Sequence, residues 1–353
     1  MKIALCAVQF PFERGGAELL CDTLYNELIM RDYEVEYVRI PFKWYPPEEI
    51  INNSLIWRLL DLSECDGSKI DCVIATKFPS YLVKHQNKVV WLLHQHRPAY
   101  DLEHTKFDSL SNYDKFNNAK IGNIVKTKIR YIDNKCLKES KKVYTIAQNV
   151  ANRLWEYNGI HGEALYHPPP FMGKYYCQDY DRYIFYPSRL DPLKRQDLII
   201  KSMKYVKNNI RLKIAGSGSR LNDYVKLAKD LNVEDKIDFL GYVSEERLLN
   251  LYANAFCIPY VPQDEDLGYV TLESFLSKKP VITCVDSGGP LEFVEDNVNG
   301  FILDPDPKKI AEKIDFIYEN ELGKQMGENG YKKVEAMNLS WDNVVRKLLE
   351  TFG

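Results

Sequence analysis

Short apolar runs and stripes of helical period alternate along this chain. Lys2–Val8 is an apolar run of strand length, and the turn Gly15-Gly16 follows it. Ala17, Leu20, Cys21, Leu24, Tyr25 and Leu28 then recur at the spacing of one helix face. Glu34–Ile40 alternates as a strand does, and Cys72–Ala75, Lys88–Leu93 and Val143–Ile146 are further short apolar runs before a helix opens at Ala151–Tyr157. The run His167-Pro168-Pro169-Pro170 breaks this rhythm. Proline lacks an amide donor and fixes φ, so consecutive prolines read as a stiff connector near a domain boundary.

The rhythm then restarts. Tyr183–Tyr186, Arg211–Ala215, Ile237–Leu240, Ala255–Ile258 and Val281–Cys284 read as strands. Gln196–Met203, Arg220–Leu231, Ser244–Asn254 (Ser244 as N-cap) and Val270–Ser277 read as helices between them. Strands alternating with helices imply parallel sheets with helices on both faces. The expected class is α/β, with two Rossmann-like domains facing a central cleft. Expected boundaries are 1–172, 173–335 and a C-terminal segment 336–353 whose helix, about Trp341–Thr351, crosses back to the first domain.

Length supports two domains, since 353 residues exceed one ordinary core. A net charge of −3 gives no basic field for nucleic acid. No run nears the ~20 apolar residues of a membrane span, and the N-terminal run reads as a strand and not as a signal peptide. Eight cysteines include no C-x-x-C pair, and four lie in apolar runs, so reduced thiols and a cytoplasmic setting are expected. Lys115–Lys142 interleaves lysines with Ile121, Ile124, Val125, Ile129 and Ile132. That pattern fits a solvated helix face, or peripheral contact with the inner face of a membrane.

The strongest chemical signal is DEDLGYVTLESFLSKKPVITCVDSGGPLEFV, from Asp264 to Val294. Glu265 and Glu273 stand eight apart with Gly268 between them, then Pro280 leads a strand and Ser287-Gly288-Gly289-Pro290 makes a turn. This segment resembles the donor-site signature of retaining GT-B glycosyltransferases of the family-4 type, the glycosyl transferases group 1. It departs in reading Glu265-Asp266-Leu267-Gly268 where the family often has E-G-F-G; the spacing is intact. The resemblance implies that Glu273 holds the donor ribose hydroxyls. It implies that Glu265 lies near the transferred sugar, where an anion favours an oxocarbenium-like transition state. It also implies donor contacts from the backbone around Leu267, Gly268, Tyr269 and Val270.

Further segments join this one. Ser188-Arg189-Leu190-Asp191-Pro192-Leu193-Lys194-Arg195 resembles the family's G-R-L-x-x-x-K-G, with Ser188 and Arg195 replacing the glycines. Arg189 and Lys194 would hold the diphosphate and neutralise the leaving group. Gly216-Ser217-Gly218 ends a strand where the family flanks the nucleotide, or is only a tight turn. Gly15-Gly16-Ala17-Glu18 resembles the family's G-G-A-E: Gly16 lets backbone approach donor or acceptor, and Glu18 caps a helix or faces the acceptor. Trp91–Arg97 closes a strand, where His94 is the candidate sugar contact and His96 its rival. Asp264-Glu265-Asp266 is also a D-x-D, but its overlap with the glutamate register makes a required metal unexpected.

The resulting expectation is a retaining hexosyltransferase that needs no cofactor beyond its donor, a nucleotide-diphosphate sugar, UDP-sugar before GDP-sugar. The acceptor is a hydroxyl of a saccharide or lipid-linked glycan, in polysaccharide or glycoconjugate biosynthesis. Two alternatives stand beside it: a nucleotide-sugar epimerase on the same architecture, and a non-catalytic nucleotide-sugar-binding subunit.

Overall fold

The computed structural model describes residues 1–12, 15–111 and 119–352; Lys115 of the basic stretch lies outside them. The chain divides into two compact units, Met1–His167 with Ser340–Gly353, and Pro168–Leu339.

The first unit runs β1 (Lys2–Gln9), α1 (Gly16–Ile29), β2 (Glu34–Pro41), α2 (Glu48–Leu59), the antiparallel pair β3 (Glu64–Cys65) and β4 (Ser68–Lys69), β5 (Cys72–Ala75), β6 (Lys88–Leu92), α3 (Ala119–Cys136), β7 (Lys142–Thr145), α4 (Gln148–Asn158) and β8 (Glu163–Ala164). Six strands form one parallel sheet in the order β2-β1-β5-β6-β7-β8. Helices cover both faces of such a sheet, so β5 and β6 are buried along their whole length. That burial takes in Lys88, whose ammonium donates to the carbonyls of Tyr81, Val83 and Cys136 at 2.9–3.0 Å. Burial pulls its pKa down to about 8, and three carbonyl acceptors are what make a buried ammonium tolerable.

The second unit repeats the logic: β9 (Asp181–Pro187), α5 (Gln196–Ser202), β10 (Arg211–Ala215), α6 (Leu221–Asp230), β11 (Ile237–Gly241), α7 (Glu245–Asn254), β12 (Ala255–Pro259), α8 (Tyr269–Leu276), β13 (Val281–Cys284), β14 (Gly300–Leu303), α9 (Pro307–Glu319) and α10 (Gly323–Ala336). Its sheet order is β11-β10-β9-β12-β13-β14, with every pairing parallel. The last helix, α11 (Trp341–Leu349), belongs to the first unit. There Trp341 meets the edge of Trp91 and the Glu350 carboxylate accepts from the Tyr144 hydroxyl at 2.5 Å.

Strand order locates the sites. In the second unit the chain lays down β9, β10 and β11 outward to one side, then returns to add β12, β13 and β14 on the other. The loops leaving β9 and β12 therefore diverge, and the crevice between them is where open α/β sheets bind ligands. In the first unit the same reversal falls between β1 and β5.

The helix after β12 is fixed from behind. Leu272 and Phe275 of α8 are fully buried, and α10 packs against this helix. Phe275→Ala should lower stability by roughly 3–5 kcal/mol, as deletion of a buried aromatic side chain does. Chemical denaturation of the two proteins checks this.

Candidate active site

Three loops leave the carboxyl ends of β9, β12 and β13 and run against one another. The Gln263 amide donates to the Leu193 carbonyl at 2.8 Å, Asp264 to Asp286 at 2.8 Å, and Glu265 to Ser287 at 2.9 Å. The Gly289 amide returns a bond to the Glu265 carbonyl at 2.8 Å. A fourth loop, after β10, presses on the first: Ser188 donates to Ala215 and Leu190 to Ser217, both at 3.0 Å. Gly216 makes that approach possible. Its φ is +135°, and a β-carbon there would stand 2.0 Å from the Ser188 carbonyl oxygen.

These contacts bring Lys194 and Glu265 together, although 71 residues separate them. The ammonium pairs with the carboxylate, and the Tyr260 hydroxyl donates to the same carboxylate oxygen at 3.1 Å and lies 3.4 Å from the ammonium. Lys194 is itself held, since its carbonyl accepts from the Tyr186 hydroxyl. Asp191 caps its short turn by accepting from the Leu193 amide at 2.9 Å. Arg189 lies in the same loop with an exposed side chain, and Gln196 pins its carbonyl at 2.7 Å. Among the described residues no acidic side chain forms an ion pair with it.

Gly268, at φ +84°, turns the chain from this loop into α8. Leu267 and Val270 are buried and Tyr269 is partly exposed, so the apolar side chains anchor the turn. The first-turn amides of a helix have no carbonyl partners within it and favour anions. Glu273 follows one turn later. The Tyr252 hydroxyl donates to its carboxyl at 2.6 Å. The Tyr175 hydroxyl meets the same carboxyl and also lies 2.8 Å from the Pro170 carbonyl; with one proton, it can donate to only one of the two. Burial pushes the Glu273 pKa up to about 7, against the pull of both phenols. Neutral hydroxyls compensate a buried carboxylate less well than a cation does. Tyr260 stands within the field of both carboxylates; burial first, then Glu265, hold its phenol well above the ordinary value.

In the first unit, Gly16 opens α1, and the Gly15 amide donates to the Glu18 carboxylate at 3.0 Å. Glu18 also accepts from the buried Lys77 ammonium at 3.0 Å. Burial opposes its ionisation, but Lys77 and the hydrogen bonds outweigh that and lower its pKa. A pocket of about 280 Å³ sits here, lined by Phe10, Glu18, Asp22, Arg39 and Lys77 among others. A second, of about 220 Å³, shares Phe10 and Lys77 and is lined by Trp44, His94 and His96 as well. Both histidines thus face one pocket, with different chemistry. His94 Nδ1 lies 2.7 Å from the Gln95 carbonyl. A carbonyl only accepts, so Nδ1 is the ring nitrogen that donates there. His96 is packed against Phe42 and Phe78, its buried Nε2 has no hydrogen-bond partner among the described residues, and burial drives its pKa down to about 3.

Several residues here carry no motif. Tyr175 and Tyr252 meet Glu273 from other segments of the chain, Tyr260 meets Glu265 from five residues before it, and Lys77 comes from the loop after β5. Lys77 stands two residues past a short apolar run, which is the one signal that could have marked it. The aspartates of the D-x-D form no metal cluster: among the described residues, no three His, Cys, Asp or Glu side chains gather as a metal set.

Residues 174–333 match the model of the family described as glycosyl transferases group 1, and the second unit belongs to it. An uncharacterised glycosyltransferase of Methanocaldococcus jannaschii is 30% identical over 179 residues, 50% of this chain and 45% of that protein. The human alpha-1,3/1,6-mannosyltransferase ALG2 is 35% identical over 111 residues, 31% of this chain and 26% of its own length. This chain therefore spans less than half the length of these curated relatives. Among solved structures, sucrose-phosphate synthase from Thermosynechococcus elongatus superposes with a TM-score of 0.76 at 14% identity, covering 99% of this chain and 98% of that one. Anabaena HepE, solved with UDP and glucose, gives 0.69 at 17% identity, covering 99% of each. The fold is GT-B.

Glu273 sets a pH dependence of stability. A carboxyl with a raised folded pKa favours folding most below its unfolded value, here 4.5, and that contribution is lost as pH rises through about 7. Glu273→Gln should therefore gain melting temperature on the wild type between about pH 5 and about pH 8. Thermal melts across that range test this; a difference that does not move with pH would count against it.

Proposed function

We propose that the protein is a retaining glycosyltransferase that moves a hexose-type sugar from a nucleotide-diphosphate sugar to a hydroxyl acceptor. The single observation that carries this reading is the Lys194–Glu265–Tyr260 cluster at the strand-order reversal, beside the first turn of α8. A diphosphate entering there competes with Glu265 for the Lys194 ammonium. Drawing Lys194 onto phosphate unburdens Glu265, whose carboxylate then serves the sugar as positive charge develops at the anomeric carbon. Arg189, exposed in the same loop, adds a second cation to the leaving diphosphate. Glu273 accepts the ribose hydroxyls, and the amides of Leu267, Gly268, Tyr269 and Val270 face the phosphates, with Gly216 bordering the nucleotide. In the first unit, Gly16 and His94 serve the acceptor and the sugar.

The acceptor hydroxyl attacks from the face the diphosphate leaves, and the departing phosphate oxygen takes its proton. UDP-sugar is the first donor to test and GDP-sugar the second: HepE was solved with UDP, and a Mycobacterium tuberculosis relative is named as GDP-mannose-dependent. A saccharide or lipid-linked glycan is the acceptor class. Purified protein should transfer sugar from one of these donors with the anomeric configuration kept. Lys194→Ala and Glu265→Ala should each lose about 10²–10³-fold in kcat, the scale for removing one preorganised charge partner. An inverted anomer in the product NMR spectrum would overturn the retaining mechanism, and near-full turnover by either variant would overturn the site. Donor turnover without acceptor would favour an epimerase, and donor binding without turnover a non-catalytic subunit.

The same reading includes peripheral contact with an anionic bilayer. No helix among the described residues is long and apolar enough to cross a membrane. Helices α2 and α3 touch; α2 exposes Leu55, Ile56 and Leu59, and α3 exposes Ile124 and Tyr131 among Lys120, Lys128 and Lys135. Exposed apolar side chains on two contacting helices, one of them lysine-bearing, complement an anionic lipid surface. Vesicles containing phosphatidylserine should bind the wild type and release the Leu59→Glu variant. Equal binding of the two proteins, or none by the wild type, would rule this contact out.

A further inference from the structure

Arg195 sits in left-handed backbone, φ 51° and ψ 39°, a conformation glycine adopts without strain and other residues avoid. Its guanidinium compensates with four hydrogen bonds. Nε donates to the Val261 carbonyl and Nη2 to the Pro262 carbonyl, both at 2.7 Å. Nη1 and Nη2 donate to the two carboxylate oxygens of Asp286, at 2.8 and 2.7 Å. Only a planar fork of five N–H groups meets two carbonyls and a carboxylate together; a lysine ammonium is a single point.

The location matters as much as the bonds. Arg195 closes the loop after β9, Val261 and Pro262 begin the loop after β12, and Asp286 belongs to the loop after β13. Its chain neighbour Lys194 reaches Tyr260 and Glu265, which flank Val261-Pro262 in the loop after β12. Backbone bonds already join these loops, so the side chain is not what holds the sheet ends together. What it adds is a side-chain link from the residue next to Lys194 to the loops after β12 and β13.

We propose that Arg195 and Asp286 form a clamp of positioning residues that sets the Lys194–Glu265 geometry for reaction. This rests on the glycosyltransferase reading above. The clamp touches neither sugar nor diphosphate; it acts through the loops. A displacement of about 1 Å in a catalytic group can cost about 10² in rate, and the clamp restrains the two backbones that carry the charged pair.

The test is Arg195→Gly, which relieves the left-handed strain while removing the fork. Its melting temperature should stay close to that of the wild type. Its kcat on the donor the wild type uses should fall by about 10²-fold, with donor KM changed far less. Arg195→Lys, which keeps the charge, should not rescue it. Asp286→Ala should reproduce part of the loss, and the double variant should be no worse than Arg195→Gly alone, as for residues acting as a unit. Wild-type kcat in Arg195→Gly, losses that track only the loss of folded protein, or fully additive effects would each overturn the clamp while leaving the glycosyltransferase reading intact. A wild type inactive on every nucleotide sugar would sink that reading instead. The clamp, defined by its effect on the Lys194–Glu265 pair during reaction, would fall with it.

Discussion

Close packing of backbone at the ends of β9, β12 and β13 is the condition on which the second unit's site depends. Parallel strands deliver all their carboxyl ends to one edge, so the loops leaving them compete for the same space. Here that competition is resolved by amide-to-carbonyl bonds at 2.8–2.9 Å between loops. Every such bond fixes a spacing between side chains remote in sequence. Lys194 meets Glu265 because Leu193 accepts from Gln263 and because Glu265 itself is paired to Ser287. The ion pair follows from the loop packing and would not assemble it unaided, since a partly exposed pair contributes little to stability.

The two glutamates then divide by environment. Glu265 is matched by an ammonium, so its charge is compensated where it stands. Among the described residues the partners of the Glu273 carboxyl are phenols, and desolvation raises its pKa to about 7. A carboxyl in that condition gains from any further donor, because each new hydrogen bond replaces hydration lost on burial. That is the environment suited to holding neutral hydroxyls. The cation-matched carboxylate suits a place where charge moves during reaction. One unit thereby supplies two carboxylates with unlike electrostatics, eight residues apart.

Some of this could be read from the chain. Strands buried on both faces announced themselves as apolar runs, and the Glu265-to-Pro290 register marked one loop and one helix. The tyrosine partners of Glu273 could not be read: Tyr175 and Tyr252 lie in other segments of the chain, and only folding brings their hydroxyls to its carboxyl. Arg195 was misleading in a specific way. In sequence it is a glycine position filled by something else. In the structure its left-handed backbone explains why glycine suits the position, and its four side-chain bonds explain how arginine can stand there. Short or polar elements also escaped notice. β8 has two residues, and α10 carries three glycines in a largely polar sequence, so neither shows a period strong enough to read.

Each unit places a lysine–glutamate pair at its own strand-order reversal, Lys77 with Glu18 and Lys194 with Glu265. The two pairs differ in what else fixes them. Glu18 is committed: it accepts from the Gly15 amide as well as from Lys77, and its pKa is lowered accordingly. Separating Lys77 from it would leave a nearly buried ammonium seeking another partner, which is costly. Lys194 is more exposed than Lys77, at 17% against 5%, and it shares one phenol with Glu265. A polyanion can take Lys194 without stranding either charge in a dry interior. The first pair therefore reads as a fixed part of its pocket wall, and the second as one that a diphosphate can open.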